Sequence, residues 1–152
     1  MPSWGEFATQ EPAFATRVLE RLRLRRHLTI ATLRRDGSPR ISGTELELGG
    51  SELHIGVMPG AVKGADLRAD PRFALHGPTE DPQAGAERDW PGEAKVAGRA
   101  VEVDFPDAPA TGALRFCLDV EEVVLTHLNE TGDRMVIESW HPGRGYRRFE
   151  RD

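Results

Sequence analysis

Arg40, Ser42 and Thr44 alternate along a stretch of strand-forming residues, so they share one strand face that continues through Leu46 and Leu48, while Ile41 and Gly43 face the other way. A cation and two hydroxyls in line, running into an apolar patch, suit a ligand with a phosphate at one end and a flat apolar head at the other. A solvent-facing strand edge carries the same pattern. Downstream, Met58-Pro59-Gly60-Ala61-Val62-Lys63-Gly64 is a glycine-bearing turn leading into a helix. The first N–H groups of that helix lack intrahelical partners, and its dipole favours an anion there. Lys63 in the first turn opposes the dipole, an arrangement that an anion between the two would relieve; an ordinary surface lysine is the alternative. The third place is Trp140 and the residues after it, where Arg144, Arg147, Arg148 and Arg151 could reach an acidic ligand or simply solubilise a terminus.

Other chemistry finds little support. His27, His54, His76, His127 and His141 show no metal-ligand spacing of the H-E-x-x-H kind, and no metal site is expected. His76, at the end of a strand near the turn, is the one candidate acid or base. There is no G-x-S-x-G elbow, no G-x-x-x-x-G-K-[ST] phosphate loop and no G-x-G-x-x-G after a strand. Glu121 and Glu122 fall on opposite faces of a strand, a poor arrangement for shared acid–base work. Cys117 reads as a small buried hydrophobe.

The elements that must position these residues follow from periodicity. Phe14, Val18 and Leu22 recur at helical spacing, with Pro12 suited to the first turn and Arg21 to Arg26 crowding the end favourable to cations. His27–Leu33, Pro39–Leu48 and Leu53–Val57 read as an antiparallel meander across Asp36-Gly37 and Gly49-Gly50. A short helix over Val62–Ala69 ends at Asp70-Pro71, because the residue before proline is pushed out of the α region. Arg72–His76 and Ala94–Val103 are strands, the second with a bulge or close approach at Gly98. Residues 78–93 read as a long exposed loop whose Trp90 either anchors it to the body or lines a ligand mouth. A short helix is expected over 107–116, then a hairpin of Val120–Leu128 and Met135–Trp140, and residues 141–152 form a basic tail. The sum is a mainly β, antiparallel chain with a few short helices, of barrel or sandwich type.

Composition sets bounds on this. The 152 residues predict one domain over 1–152, with 38% hydrophobic and 30% charged residues. A net charge of −5 argues against nucleic acid as a general partner. No apolar run approaches membrane-spanning length and no secretory signal opens the chain, so a cytoplasmic protein without a membrane partner is expected. One cysteine excludes an internal disulfide. The modest apolar fraction makes a second subunit a natural way to bury more surface.

The order of these segments resembles the FMN-binding split-barrel superfamily, whose best-known member is pyridoxamine 5′-phosphate oxidase. Ile30-Ala31-Thr32-Leu33-Arg34-Arg35-Asp36-Gly37-Ser38-Pro39-Arg40 is similar to the family's opening hairpin. Leu53–Val57, then Lys63 to Leu75 with its lysine eight residues before Pro71, resembles the family's strand, loop and helix. Ala94–Val103 is similar to its glycine-containing strand. The resemblance implies an antiparallel split β-barrel, a homodimer with FMN in the subunit interface, and an oxidoreductase acting on a small molecule. It implies that Arg40 and Lys63 hold the cofactor phosphate. Ile41, Ser42, Gly43, Thr44, Val57 and Met58 would run along the isoalloxazine and ribityl chain, with Trp140 bordering the flavin. Val62 stands where the oxidase has an arginine, and residues 144–152 lack its R-L-H-D-R stretch, so the likeness does not extend to oxidation of pyridoxamine phosphate itself. The superfamily also implies two alternatives: a reductase using the deazaflavin F420, and a non-catalytic flavin- or haem-binding carrier or sensor.

Overall fold

Period-two burial runs through the β segments, and it closes them into a barrel. In the computed structural model, which describes residues 2–106, 108 and 112–152, the strands are β1 (His27–Leu33), β2 (Pro39–Gly49), β3 (Glu52–Val57), β4 (Arg72–His76), β5 (Glu93–Val103), β6 (Leu114–Leu128), β7 (Met135–His141) and β8 (Gly145–Arg151). All pairings are antiparallel, in the order β3-β2-β1-β4-β5-β6-β7-β8, and β3 also pairs with β6. That last pairing closes β1 to β6 into a six-stranded barrel, and β7 and β8 extend the sheet beyond it. Closure gathers the inward set, including Ile30, Leu53, Ile55, Leu75, Val96, Phe116 and Leu118, into one core.

Among the described residues three α-helices accompany the barrel: α1 (Trp4–Gln10), α2 (Pro12–Leu22) and α3 (Val62–Ala69). Ser3 starts α1 with a reciprocal capping box, its Oγ accepting from Glu6 N at 3.1 Å while Ser3 N donates to the Glu6 carboxylate. Pro12 stands in the first turn of α2, whose Phe14, Ala15, Val18 and Leu22 are buried. Phe7 of α1 packs edge-on with Trp4 and Phe14 and at a tilt against Trp140, forming an aromatic layer over β7.

Several expectations are corrected. The chain carries α1, which no periodicity announced, although the Ser3-x-x-Glu6 signature was present. Residues 141–152 are not a loose tail: Gly145–Arg151 pairs along β7 from Met135↔Arg151 to His141↔Gly145. The backbone of β7 needs a partner for its outer edge, and β8 satisfies it despite its charged side chains. Of the helix expected over 107–116, residues 107 and 109–111 lie outside the described residues, and Leu114–Phe116 belong to β6, which begins earlier than Val120. Glu93 is already in β5, so the long loop ends at Gly92 and contains one 3-10 turn, Glu87–Asp89. Cys117 is half-buried rather than buried, and burial together with the Glu52 and Asp119 carboxylates pushes its thiol up.

Candidate functional site

β3 pairs only with Leu46–Gly49 of β2, while β1 takes the other side of Pro39–Glu45. The far edge of the first half of β2 therefore has no strand partner among the described residues, and the barrel splits there. Helix α3 packs against β1 at this split and brings Lys63 to it. Lys63 Nζ donates to the Gly43 carbonyl at 2.5 Å, meeting part of what a neighbouring strand would otherwise satisfy. Gly64 is buried at the start of the helix, where an added Cβ would stand 3.1 Å from Leu114 and Val57 side chains, so its small size lets the helix sit close.

Arg40 reaches the same place from β2. Its Nε donates to Asp66 Oδ2 at 2.7 Å, and Thr32 Oγ1 donates to the same oxygen at 2.8 Å. Asp66 lies on α3 and is 6% exposed. Burial alone would raise its carboxyl, but the hydrogen bonds from Arg40 and Thr32 and the Arg40 charge hold it below the ordinary carboxylate range. Asp66 thus fixes the guanidinium by one edge, and the terminal nitrogens of Arg40 have no partner among the described residues. Burial lowers the Lys63 ammonium, and an anion beside it would reverse that. Thr44, 4% exposed on the inward face of β2, has a hydroxyl without a hydrogen-bond partner.

The remaining predicted residues separate into two groups. Ile41 and Met58 are exposed at 75% and 78%, beside Arg40 and before Lys63, with Val62 also exposed; Ser42 is half-buried on the inward face and Gly43 is exposed. Two residues lie away from the open surface. The Val57 side chain points into the core, leaving only its backbone for a ligand. Trp140 is 1% exposed, packs against Phe7 with ring centroids 4.9 Å apart and donates through Nε1 to Gln10 Oε1. It lies on the inner face of β7 beneath α1, where it borders no open surface of this chain. His76 sits elsewhere again. It pairs with Thr29, whereas Arg40 pairs with Thr32, so the two are about three residues, or roughly 10 Å, apart along β1. Its Nδ1 is 2.7 Å from the Gly77 carbonyl.

The donors available at the split fit a phosphate: a guanidinium oriented by a carboxylate, a partly desolvated ammonium on the first turn of α3, and exposed apolar side chains beside them. No cluster of His, Cys, Asp and Glu suited to a metal occurs among the described residues, and no helix there is long and apolar enough to cross a membrane. No family model and no curated protein matches the sequence. Solved structures do match. A pyridoxamine 5′-phosphate oxidase-related, FMN-binding protein from Nostoc punctiforme is 11% identical, with 93% of this chain and 96% of that chain covered and a TM-score of 0.64. PhzG from Burkholderia lata, solved with tetrahydrophenazine-1-carboxylic acid, is 10% identical over 99% and 94% of the two chains, with a TM-score of 0.66. The haem storage protein HutZ from Vibrio cholerae is 15% identical over 74% and 90%, with a TM-score of 0.53. The fold is therefore the split barrel of the pyridoxamine 5′-phosphate oxidase-like proteins.

Proposed function

We propose that this chain is an FMN-binding oxidoreductase acting on a small molecule, with Arg40 and Lys63 holding the cofactor phosphate between two copies of the chain. The observation that carries this reading is the convergence of Arg40, from β2, and Lys63, from α3, on the split in the barrel, with hydrogen-bond donors left over. Asp66 orients Arg40, and half-buried Ser42 shares that face of β2 with it. Exposed Ile41, Met58 and Val62 around these cations suit cover by a second copy, which would also exclude water from the phosphate. The flavin, when bound, would supply two-electron redox chemistry; the chain would bind, orient and shield it. The binding of FMN named for the Nostoc punctiforme protein supports this choice of cofactor.

Titration of the purified protein with FMN tests the site. Arg40→Ala and Lys63→Ala are each expected to weaken binding by about 1–3 kcal/mol, the range for a hydrogen bond to a charged group. Unchanged affinity in both variants would reject this placement of the phosphate. The same titration with F420 and with haem separates the alternatives. The likeness to HutZ makes a haem carrier the second reading, and a Soret band in the absence of FMN binding would establish it over the first.

A further inference from the structure

A second place in the molecule gathers cations around an aromatic wall, at the opposite end of the barrel from Arg40. Register places it there: β1 begins beside the end of β4 and the start of β5, and Arg40 lies beside the end of β1. Between α2, the segment before β5 and the end of β6 is a cleft of about 220 Å³, with Arg17, Glu20, Arg21, Arg88, Trp90 and His127 in its lining.

The charge of its floor follows from hydrogen-bond geometry. His127 Nδ1 faces the Leu128 carbonyl at 2.9 Å, and Nε2 faces Glu138 Oε2 at 2.6 Å. Both of these partners only accept, and although Arg17 Nη2 also stands 3.4 Å from Nε2, the shorter contact to the carboxylate needs a proton on that nitrogen, so the geometry favours a ring protonated at both nitrogens. Arg17 donates through both terminal nitrogens to the same carboxylate. Two cations thus share the one negative charge of Glu138, which is 2% exposed, and the trio keeps a net positive charge. Arg21 is paired with Glu80 at 3.3 Å. Arg88 has no ion-pair partner among the described residues and offsets Glu20.

The wall is Trp90. Its Nε1–H donates to the Glu80 carbonyl at 2.7 Å, pinning the indole across its own loop. Trp90 lines this cleft and also an acidic hollow containing Glu80, Asp81 and Asp89, so it stands at the boundary of the two. On the basic side, a fixed aromatic surface meets a net positive floor.

We propose that this cleft is a binding site for a small planar organic anion, an aromatic carboxylate of one or two fused rings, stacked on Trp90 with its carboxylate toward Arg17 and Arg88. The volume is below the ~300–1,000 Å³ of pockets for larger ligands, which limits the ring count. Arg17 has both terminal nitrogens on Glu138 and contributes charge, so bidentate recognition of the carboxylate falls to Arg88.

The test uses 2-naphthoate as the probe, by calorimetric titration of the full chain, with naphthalene-2-carboxamide as the neutral control. Saturable naphthoate binding is expected, with the carboxamide about tenfold weaker or more. Trp90→Leu and Arg88→Gln, both on the loop and outside the core, are each expected to weaken naphthoate about fivefold to tenfold. Saturating FMN is expected to leave naphthoate affinity unchanged, which keeps this site distinct from the flavin reading. The proposal is overturned by any of four results: no saturable binding up to about 10 mM, equal affinity for the carboxamide, wild-type affinity in both folded variants, or displacement of naphthoate by FMN.

Discussion

Glu138 holds a carboxylate inside the protein at 2% exposure and accepts from Arg17, His127 and the Tyr146 hydroxyl. Burial alone would raise its carboxyl, but these hydrogen bonds and the Arg17 charge drive it far below its ordinary 4.5. The bond to Glu138 raises His127 above its ordinary 6.5, against the opposing effect of burial. Burial and the same carboxylate push Tyr146 up to about 12. A depressed carboxyl adds stability that is complete above its unfolded value and lost as pH falls toward the folded one. A raised imidazole adds stability that is complete below its unfolded value and lost as pH rises through the folded one. Both contributions are therefore complete between about pH 4.5 and 6.5. Removing a buried partner costs about 3–5 kcal/mol, and because Arg17 is half-exposed, a loss of about 2–3 kcal/mol is expected for Glu138→Gln. Thermal melts of both proteins across pH should show the largest gap inside that window and a smaller one on either side. A gap that is flat from acid to alkaline pH would sink this account.

At the scale of elements, the bulge in the β5–β6 pair matters most. Gly98 faces Val120 and Ala97 faces Glu122, so Glu121 is the extra residue on β6. A Cβ on Gly98 would lie 1.9 Å from the Asp119 carbonyl oxygen, a clash with backbone that no side-chain rotation relieves. Gly98→Ala should destabilise the protein toward the upper end of about 1–3 kcal/mol, measured by urea unfolding. Stability equal to wild type would mean that the two strands do not approach so closely. Because β5 and β6 share the longest ladder in the barrel, this variant also tests whether the bulge sets the curvature that lets β6 reach β3.

At the scale of the whole molecule, the barrel leaves Ile41, Met58 and Val62 uncovered around a pair of cations. Under the proposed function that surface meets a second copy. Ile41→Asp combined with Met58→Asp should halve the mass seen by sedimentation and weaken FMN binding together, while unfolding stays cooperative. A wild-type protein that sediments as a monomer with FMN bound would remove the dimer from the proposal.

Much of the barrel could be read from the order of residues. Strand-forming runs between turn signals marked β1 to β5, helical spacing marked α2, and Asp70-Pro71 marked the end of α3, because each depends on contacts within a few residues. Arg40 and Lys63 were likewise recognisable as cations beside strand and helix ends. Their meeting followed only from the family resemblance and not from spacing, since the hydrogen bond from Lys63 to Gly43 and the Asp66 link to Arg40 span 20 and 26 residues. Trp140 shows the same limit: its type fitted a ligand wall, but packing under Phe7 placed it in the core. β8 was hidden because its pairing is a backbone matter, to which a run of arginines gives no side-chain clue. The cleft of Arg17, Trp90 and His127 draws on three distant segments, and none of them announces the others. What the chain determines alone is which local shapes its side chains favour and how acidic it is as a whole. Which charges end up facing one another is decided only when the β3–β6 pairing closes the barrel, because only then does burial press most polar groups to find partners.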